Sequence, residues 1–237
     1  MSSRRFEVIL KFLHLNDSRQ QPSRGEPGYD KLYKVRPLLN LVLENFQAVY
    51  TPTQSLSIDE SMVGFKGRLA FLQYMPKKPQ KWGMKAWVLA DGANGYVWNW
   101  KLYTGKEDTH STLGLAHRVV LGLLDDDRLQ NKGYHVYRDN FYTSPALFRD
   151  LRDQGFEAYG TIRSNRVGIP EDIRTAKLKK GESHFSRDDS MLYMKWKDKR
   201  DVLMLSIFHD DTFIEKRRRT RHADDGVEVI QKPKVVE

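Results

Sequence analysis

The spacing of apolar residues changes at Ser55, and that change limits the folds open to the chain. Before it, Phe6, Ile9, Leu10 and Leu13 form one stripe and Leu38, Leu41, Val42, Phe46 and Val49 another. These spacings fit helices over 6–15 and 37–50, with Pro37 suited to a first turn. After it, Leu56, Ile58, Glu60 and Met62 alternate with Ser57, Asp59, Ser61 and Val63, the period of a strand. Trp87–Ala90 and Tyr96–Tyr103 read as a hairpin around Asp91-Gly92-Ala93-Asn94-Gly95. A helix marked by Leu113, Ala116, Val120 and Leu123 follows, then a short strand over Tyr134–Tyr137. Ser144 and Pro145 open a further helix that Gly155 closes, and Glu157–Arg163 reads as the next strand. Met191–Trp196 and Val202–Phe208 make a second hairpin. Such an order predicts an α/β fold, a mixed sheet flanked by helices.

The polar stretch 16–30, with Pro22, Gly25, Pro27 and Gly28, reads as a linker. The expected organisation is an N-terminal helical segment over 1–54 and a core over 55–237, with a hairpin extension around 190–210. No apolar run is long enough to span a bilayer and none has a secretory layout, which leads us to expect a soluble, non-secreted protein with no membrane partner.

The chain has no cysteine, which removes disulfides, thiolate zinc sites and a cysteine nucleophile. Its seven histidines are scattered without a zinc spacing. A bound metal would therefore be held by oxygen, as Mg2+ or Mn2+ is. The formal net charge of +9 leans toward polyanionic partners, nucleic acid before an anionic membrane surface.

Two segments place an aspartate within or at the end of an expected strand: Ser57-Ile58-Asp59-Glu60-Ser61 and Arg138-Asp139-Asn140-Phe141-Tyr142-Thr143-Ser144. Were those strands neighbours, the carboxylates would repel unless a divalent cation lay between them, and cations so held can drive phosphoryl transfer. Spacing alone favours a plainer reading, since an aspartate at a strand end often caps a turn. Alternation points Glu60 away from Asp59.

Longer blocks change that balance. Leu56–Met62 with Gly64-Phe65-Lys66-Gly67-Arg68 resembles the first-aspartate block of piggyBac-type transposases, as does Tyr74–Pro79 with Lys81, Gly83 and Lys85. Asp139–Ser144 resembles the second-aspartate block, and Gly160–Arg166 the strand and turn after it. Arg5-Phe6 with Phe12–Asp17 is similar to the segment before the catalytic region. The resemblance implies an RNase H-like core, and DNA cleavage and strand transfer by three aspartates with divalent metal, of which Asp59 and Asp139 would be the first two ligands. It also leaves room for a homodimer. The family's third aspartate follows a Lys-Pro-x-x-Val approach, which Lys232–Val236 resembles just before the chain ends. Asp224, Asp225 and Glu228 are substitutes in a stretch without a clear period. Weak catalysis or none is expected from this chain.

Lys66, Arg68, Lys77, Lys78, Lys81 and Lys85 alternate with Phe65, Phe71, Tyr74 and Trp82. With the resemblance they read as contacts to the DNA backbone, with Arg138 either joining them or pairing with a carboxylate; without it, a solvated loop explains them equally well. The run Lys216-Arg217-Arg218-Arg219-Thr220-Arg221 suits a nuclear localisation signal, a phosphate clamp or an exposed loop. Trp82, Trp87, Trp98, Trp100 and Trp196 read as core or hairpin packing. The competing functions are a catalytic DNA-processing core, a non-catalytic DNA-binding remnant, and a protein-interaction module.

Overall fold

The computed structural model describes residues 1–105, 113–188, 190–219 and 227–236. Among them two helices precede the sheet: α1, Ser3–Phe12, and α2, Arg36–Val49. Then come β1 (Ser55–Gly64), β2 (Gln73–Tyr74), β3 (Trp82–Asp91) and β4 (Val97–Leu102), followed by α3 (Leu115–Leu124) and β5 (His135–Arg138). The chain continues through α4 (Pro145–Asp153), β6 (Glu157–Thr161), α5 (Glu171–Thr175), β7 (Ser183–Arg187), β8 (Leu192–Lys197) and β9 (Asp201–Ser206). It closes with β10 (Phe213–Arg219) and β11 (Val227–Pro233).

Strands β1 to β9 form one mixed sheet in the order β2-β3-β1-β5-β6-β9-β8-β7, with β4 sharing the outer edge of β3. β1, β5 and β6 run parallel, and their neighbours on either side run antiparallel. Parallel neighbours need a crossover. The chain supplies one through α3 between β4 and β5, and another through α4 between β5 and β6.

The core lies where those crossover helices meet the sheet. Leu56 and Ile58 of β1, Trp87 and Leu89 of β3, Val136 of β5 and Ala158 of β6 bury against Val120, Leu123 and Leu124 of α3 and Leu147, Phe148 and Leu151 of α4. Each buried Leu, Ile or Phe contributes about 1.5–3 kcal/mol. Helix α4 begins as its sequence predicts: Ser144 Oγ accepts from Leu147 N, Pro145 occupies the first turn, and Gly155 follows the end at φ +76.

A buried aspartate ties α2 to the sheet. Asp91 is 1% exposed and accepts hydrogen bonds from Tyr50 Oη, Thr53 N, Thr53 Oγ1 and Ala93 N. Burial acting alone would raise its pKa, but these donors outweigh it and hold the carboxyl at about 2.

The structure adds to these expectations and departs from some of them. The α1 helix forms, yet Phe6, Ile9, Leu10 and Leu13 stay about half exposed because no described element packs on that stripe. Strands β7, β10 and β11 were not foreseen, since SHFSR and FIEKRRR carry too few apolar residues to alternate. Backbone pairing defines them instead, β10 with β11 from Phe213↔Pro233 to Arg219↔Val227. Glu228 thus belongs to a strand, while Asp224 and Asp225 lie outside the described residues. The expected hairpin at 190–210 is present as β8 and β9, with Met194, Trp196 and Met204 packed on Val235.

Candidate active site

β1 and β5 pair in parallel with Ser57 opposite Tyr137 and Ile58 opposite Arg138. The next residue along each segment is an aspartate, Asp59 within β1 and Asp139 immediately after β5. Alternation turns Ile58 and Arg138 toward the helices and Asp59 to the opposite face, while Asp139 opens the turn that follows β5. Both aspartates are solvent exposed.

Local chemistry fixes each carboxylate. Asp59 Oδ1 accepts from Glu60 N at 2.7 Å. Asp139 Oδ1 accepts from Phe141 N at 2.9 Å, while Thr143 Oγ1 donates to the Asp139 carbonyl at 2.8 Å. The turn-forming role of Asp139 is therefore real and coexists with its position beside Asp59. Arginines of the following loop brace the same turn: Arg163 Nε donates to Asn140 Oδ1, and Arg166 Nη2 to the carbonyls of Asn140 and Phe141. Gly160 stands opposite Arg138, and a Cβ there would run into the Arg138 carbonyl and crowd Thr143 Oγ1.

Tyr142 senses the whole carboxylate group. It is 2% exposed, and its hydroxyl makes no hydrogen bond of acceptable geometry although Glu60 lies close by. Burial first, and then the charges of Glu60, Asp59 and Asp139, push its phenol far above the ordinary tyrosine range. Among the described residues, no group of three or more His, Asp or Glu side chains is arranged to hold a metal ion. Mg2+ keeps several waters and takes one or two carboxylates together with substrate phosphates, so Asp59 and Asp139 fit such an ion on the protein side.

The basic residues divide into two sets. Lys66, Arg68, Lys77 and Lys81 are exposed around the β2–β3 hairpin. Lys85 turns inward to Glu60, with Nζ 2.5 Å from Oε1, and Lys78 Nζ donates to the Glu60 carbonyl at 3.1 Å. Arg138 is 7% exposed, its guanidinium lies 4.5 Å from the Phe148 ring centroid, and none of its side-chain nitrogens hydrogen-bonds a described residue. Burial lowers its pKa to about 9. Among the described residues Arg138 has no carboxylate partner, because its place in β5 turns it into the core.

Trp87, Trp98 and Trp196 are buried as expected, but Trp82 is 52% exposed. At the start of β3, opposite Tyr74 on a two-residue strand, it packs across the hairpin on that ring and not in the core. Lys216–Arg219 lie on β10, while Thr220 and Arg221 fall outside the described residues.

Set beside known proteins, residues 1–237 match in full the family described as Transposase IS4. The chain belongs to that transposase family. Within it the similarity is to piggyBac proteins. Homo sapiens PiggyBac transposable element-derived protein 3 is 30% identical over 209 residues, covering 85% of this chain and 34% of that relative. Homo sapiens PiggyBac transposable element-derived protein 2 is 30% identical over 206 residues, covering 82% and 33%. The chain spans about a third of the length of these relatives. The cryo-EM structure of the piggyBac transposase synaptic complex with hairpin DNA superposes with a TM-score of 0.80 at 27% identity, covering 100% of this chain and 47% of that one. The chain is thus a piggyBac transposase-derived domain with an RNase H-like mixed sheet. DDE transposases as a family use divalent metal ions; for this domain the ion is a matter for proposal. Among the described residues no helix is long and apolar enough to cross a membrane.

Sequence reasoning missed the Glu60–Lys85 pair and the arginine brace on Asn140. The pattern that could have revealed the first was β1 and β3 read as antiparallel neighbours, which brings Glu60 and Lys85 to one face.

Proposed function

We propose that this piggyBac-derived domain binds DNA along the exposed cations of the β2–β3 region, with Asp59 and Asp139 presented to a backbone phosphate. The observation that supports it most is the β1–β5 register, which pairs Ile58 with Arg138, the residues just before Asp59 and Asp139. Lys66, Arg68, Lys77 and Lys81 would neutralise phosphates without reading sequence. Asp59 and Asp139 would hold Mg2+ or Mn2+, which when bound supplies charge stabilisation and an activated nucleophile for phosphoryl transfer. The brace from Arg163 and Arg166 keeps the Asp139 turn in place, and the Glu60–Lys85 pair keeps Asp59 at its point on β1. With two carboxylates rather than three among the described residues, we expect strand cleavage by this domain to be weak or nil. The name of the solved relative, a transposase complex with hairpin DNA, supports the DNA reading by similarity.

A second reading, a DNA-binding remnant without catalysis, is favoured by the lack of a three-carboxylate group among the described residues. Nicking of supercoiled DNA with Mg2+ or Mn2+ decides between them. Activity lost on Asp59→Asn supports catalysis. Steeply salt-dependent DNA binding without nicking supports the remnant, and no DNA binding at low salt overturns both. We further propose nuclear targeting through Lys216–Arg221, testable by the distribution of a fluorescent fusion with that run changed to Gln.

A further inference from the structure

Tyr74 and Trp82 face each other across the β2–β3 pair with ring centroids 4.8 Å apart and planes tilted by 39°. Each is 52% exposed. Aromatic rings of this size usually bury against a neighbour, as Trp87 and Trp98 do at 2% and 1% exposure. The loop joining the two strands is closed by hydrogen bonds from Met75 N to the Lys81 carbonyl and from Lys78 N to the Met75 carbonyl. That closure fixes the ring pair at the sheet rim.

The charge along this stretch of chain is of one sign. Residues 61–90 contain no Asp or Glu, and they carry Lys66, Arg68, Lys77 and Lys81, all exposed. The nearest acid in the sequence, Glu60, is taken up by Lys85. A polyanion suits such a surface, and an acid-free aromatic pair suits a base with a free face. Bases within a duplex offer no such face to a side chain at the rim.

We propose that Tyr74 and Trp82 form a stacking site for unpaired bases of single-stranded DNA, with Lys77 and Lys81 on the adjoining phosphates. The site rests on the DNA-binding reading above and adds to it a preference for unpaired strands. Its position also fixes a distance. Trp82 lies six residues along β3 from Val88, the partner of Asp59, which is about 20 Å at ~3.4 Å per residue.

The test is fluorescence anisotropy of the whole chain on a labelled single strand and on a blunt duplex of the same length, at fixed salt. The wild type is expected to bind both. Trp82→Ala is expected to lose about tenfold on the single strand, the effect of one base–aromatic stack, and to stay within about twofold on the duplex. Lys77→Gln with Lys81→Gln is expected to weaken both. Circular dichroism of Trp82→Ala should match the wild type, since the ring is half exposed. Equal loss on the two nucleic acids, or none on the single strand, would overturn the stacking site and leave DNA binding standing. No binding of either by the wild type would overturn the DNA reading itself.

Discussion

The Lys85 ammonium sits 2.5 Å from Glu60 Oε1, and both side chains are less than a fifth exposed. The pair joins β1 to β3 one residue from Asp59. Lys85 Nζ also lies 5.3 Å from the Trp87 ring centroid and 5.8 Å from that of Phe141, so a charge leaving this position would abandon several contacts together.

Breaking that pair should cost more than removing it whole. Lys85→Met leaves the largely buried Glu60 without its partner and should destabilise the fold by about 1–3 kcal/mol. Glu60→Gln with Lys85→Met should recover part of that loss. A urea double-mutant cycle measures the coupling, expected at about 1–3 kcal/mol. Additive losses would mean that the pair does not hold β1 to β3.

Gly160 permits the close approach of β6 to the Asp139 turn. Gly160→Val forces the Arg138 carbonyl or Thr143 to move, at a cost of about 1–3 kcal/mol. A melting scan reads the loss, and amide shifts of Asn140 and Phe141 read the displaced turn. Wild-type stability in the variant would show that the turn has room the structure does not give it.

Asp91 sets an acid limit on stability. Its folded pKa of about 2 lies below the ordinary 3.8. Its contribution is therefore complete above the unfolded value and fades as the pH falls from about 4 toward 2, a loss of about 2 kcal/mol. Asp91→Asn should be less stable at pH 7 and should show a shallower fall over that interval. Urea midpoints from pH 7 to 2.5 provide the comparison, and parallel curves for the two proteins would contradict the assignment.

Arg138 is a cation in the core without an anion among the described residues. Arg138→Met keeps the stem against Phe148 and removes the buried charge, so stability should hold or rise, by up to about 4 kcal/mol. Thermal unfolding tests this directly. A marked drop in Tm would show that the guanidinium has an essential partner in solution.

What the sequence made legible was local. Asp139–Ser144 announces a strand end, an Asx turn and a capped helix within one short span, and each is present. Alternation over Ser55–Val63 likewise marked β1. What stayed hidden was set by distant pairing. Lys85 looks like any surface lysine until β3 is laid antiparallel to β1, and Trp82 looks like core until β2 is paired with β3 and sets Tyr74 opposite it. The polar strands β7 and β10 carry no apolar period, since their neighbours supply the pairing. Asp91 was readable as a turn residue, but its four donors come partly from the end of α2, a helix the hairpin signal does not involve.

The central claim is that Asp59 and Asp139 serve one divalent cation together. Mn2+ titration of the whole chain, followed by electron paramagnetic resonance, tests it most directly. Asp59→Asn and Asp139→Asn should each weaken Mn2+ binding by at least about tenfold, and the double variant should be little worse than either. Unchanged Mn2+ affinity in either single variant would contradict the shared site.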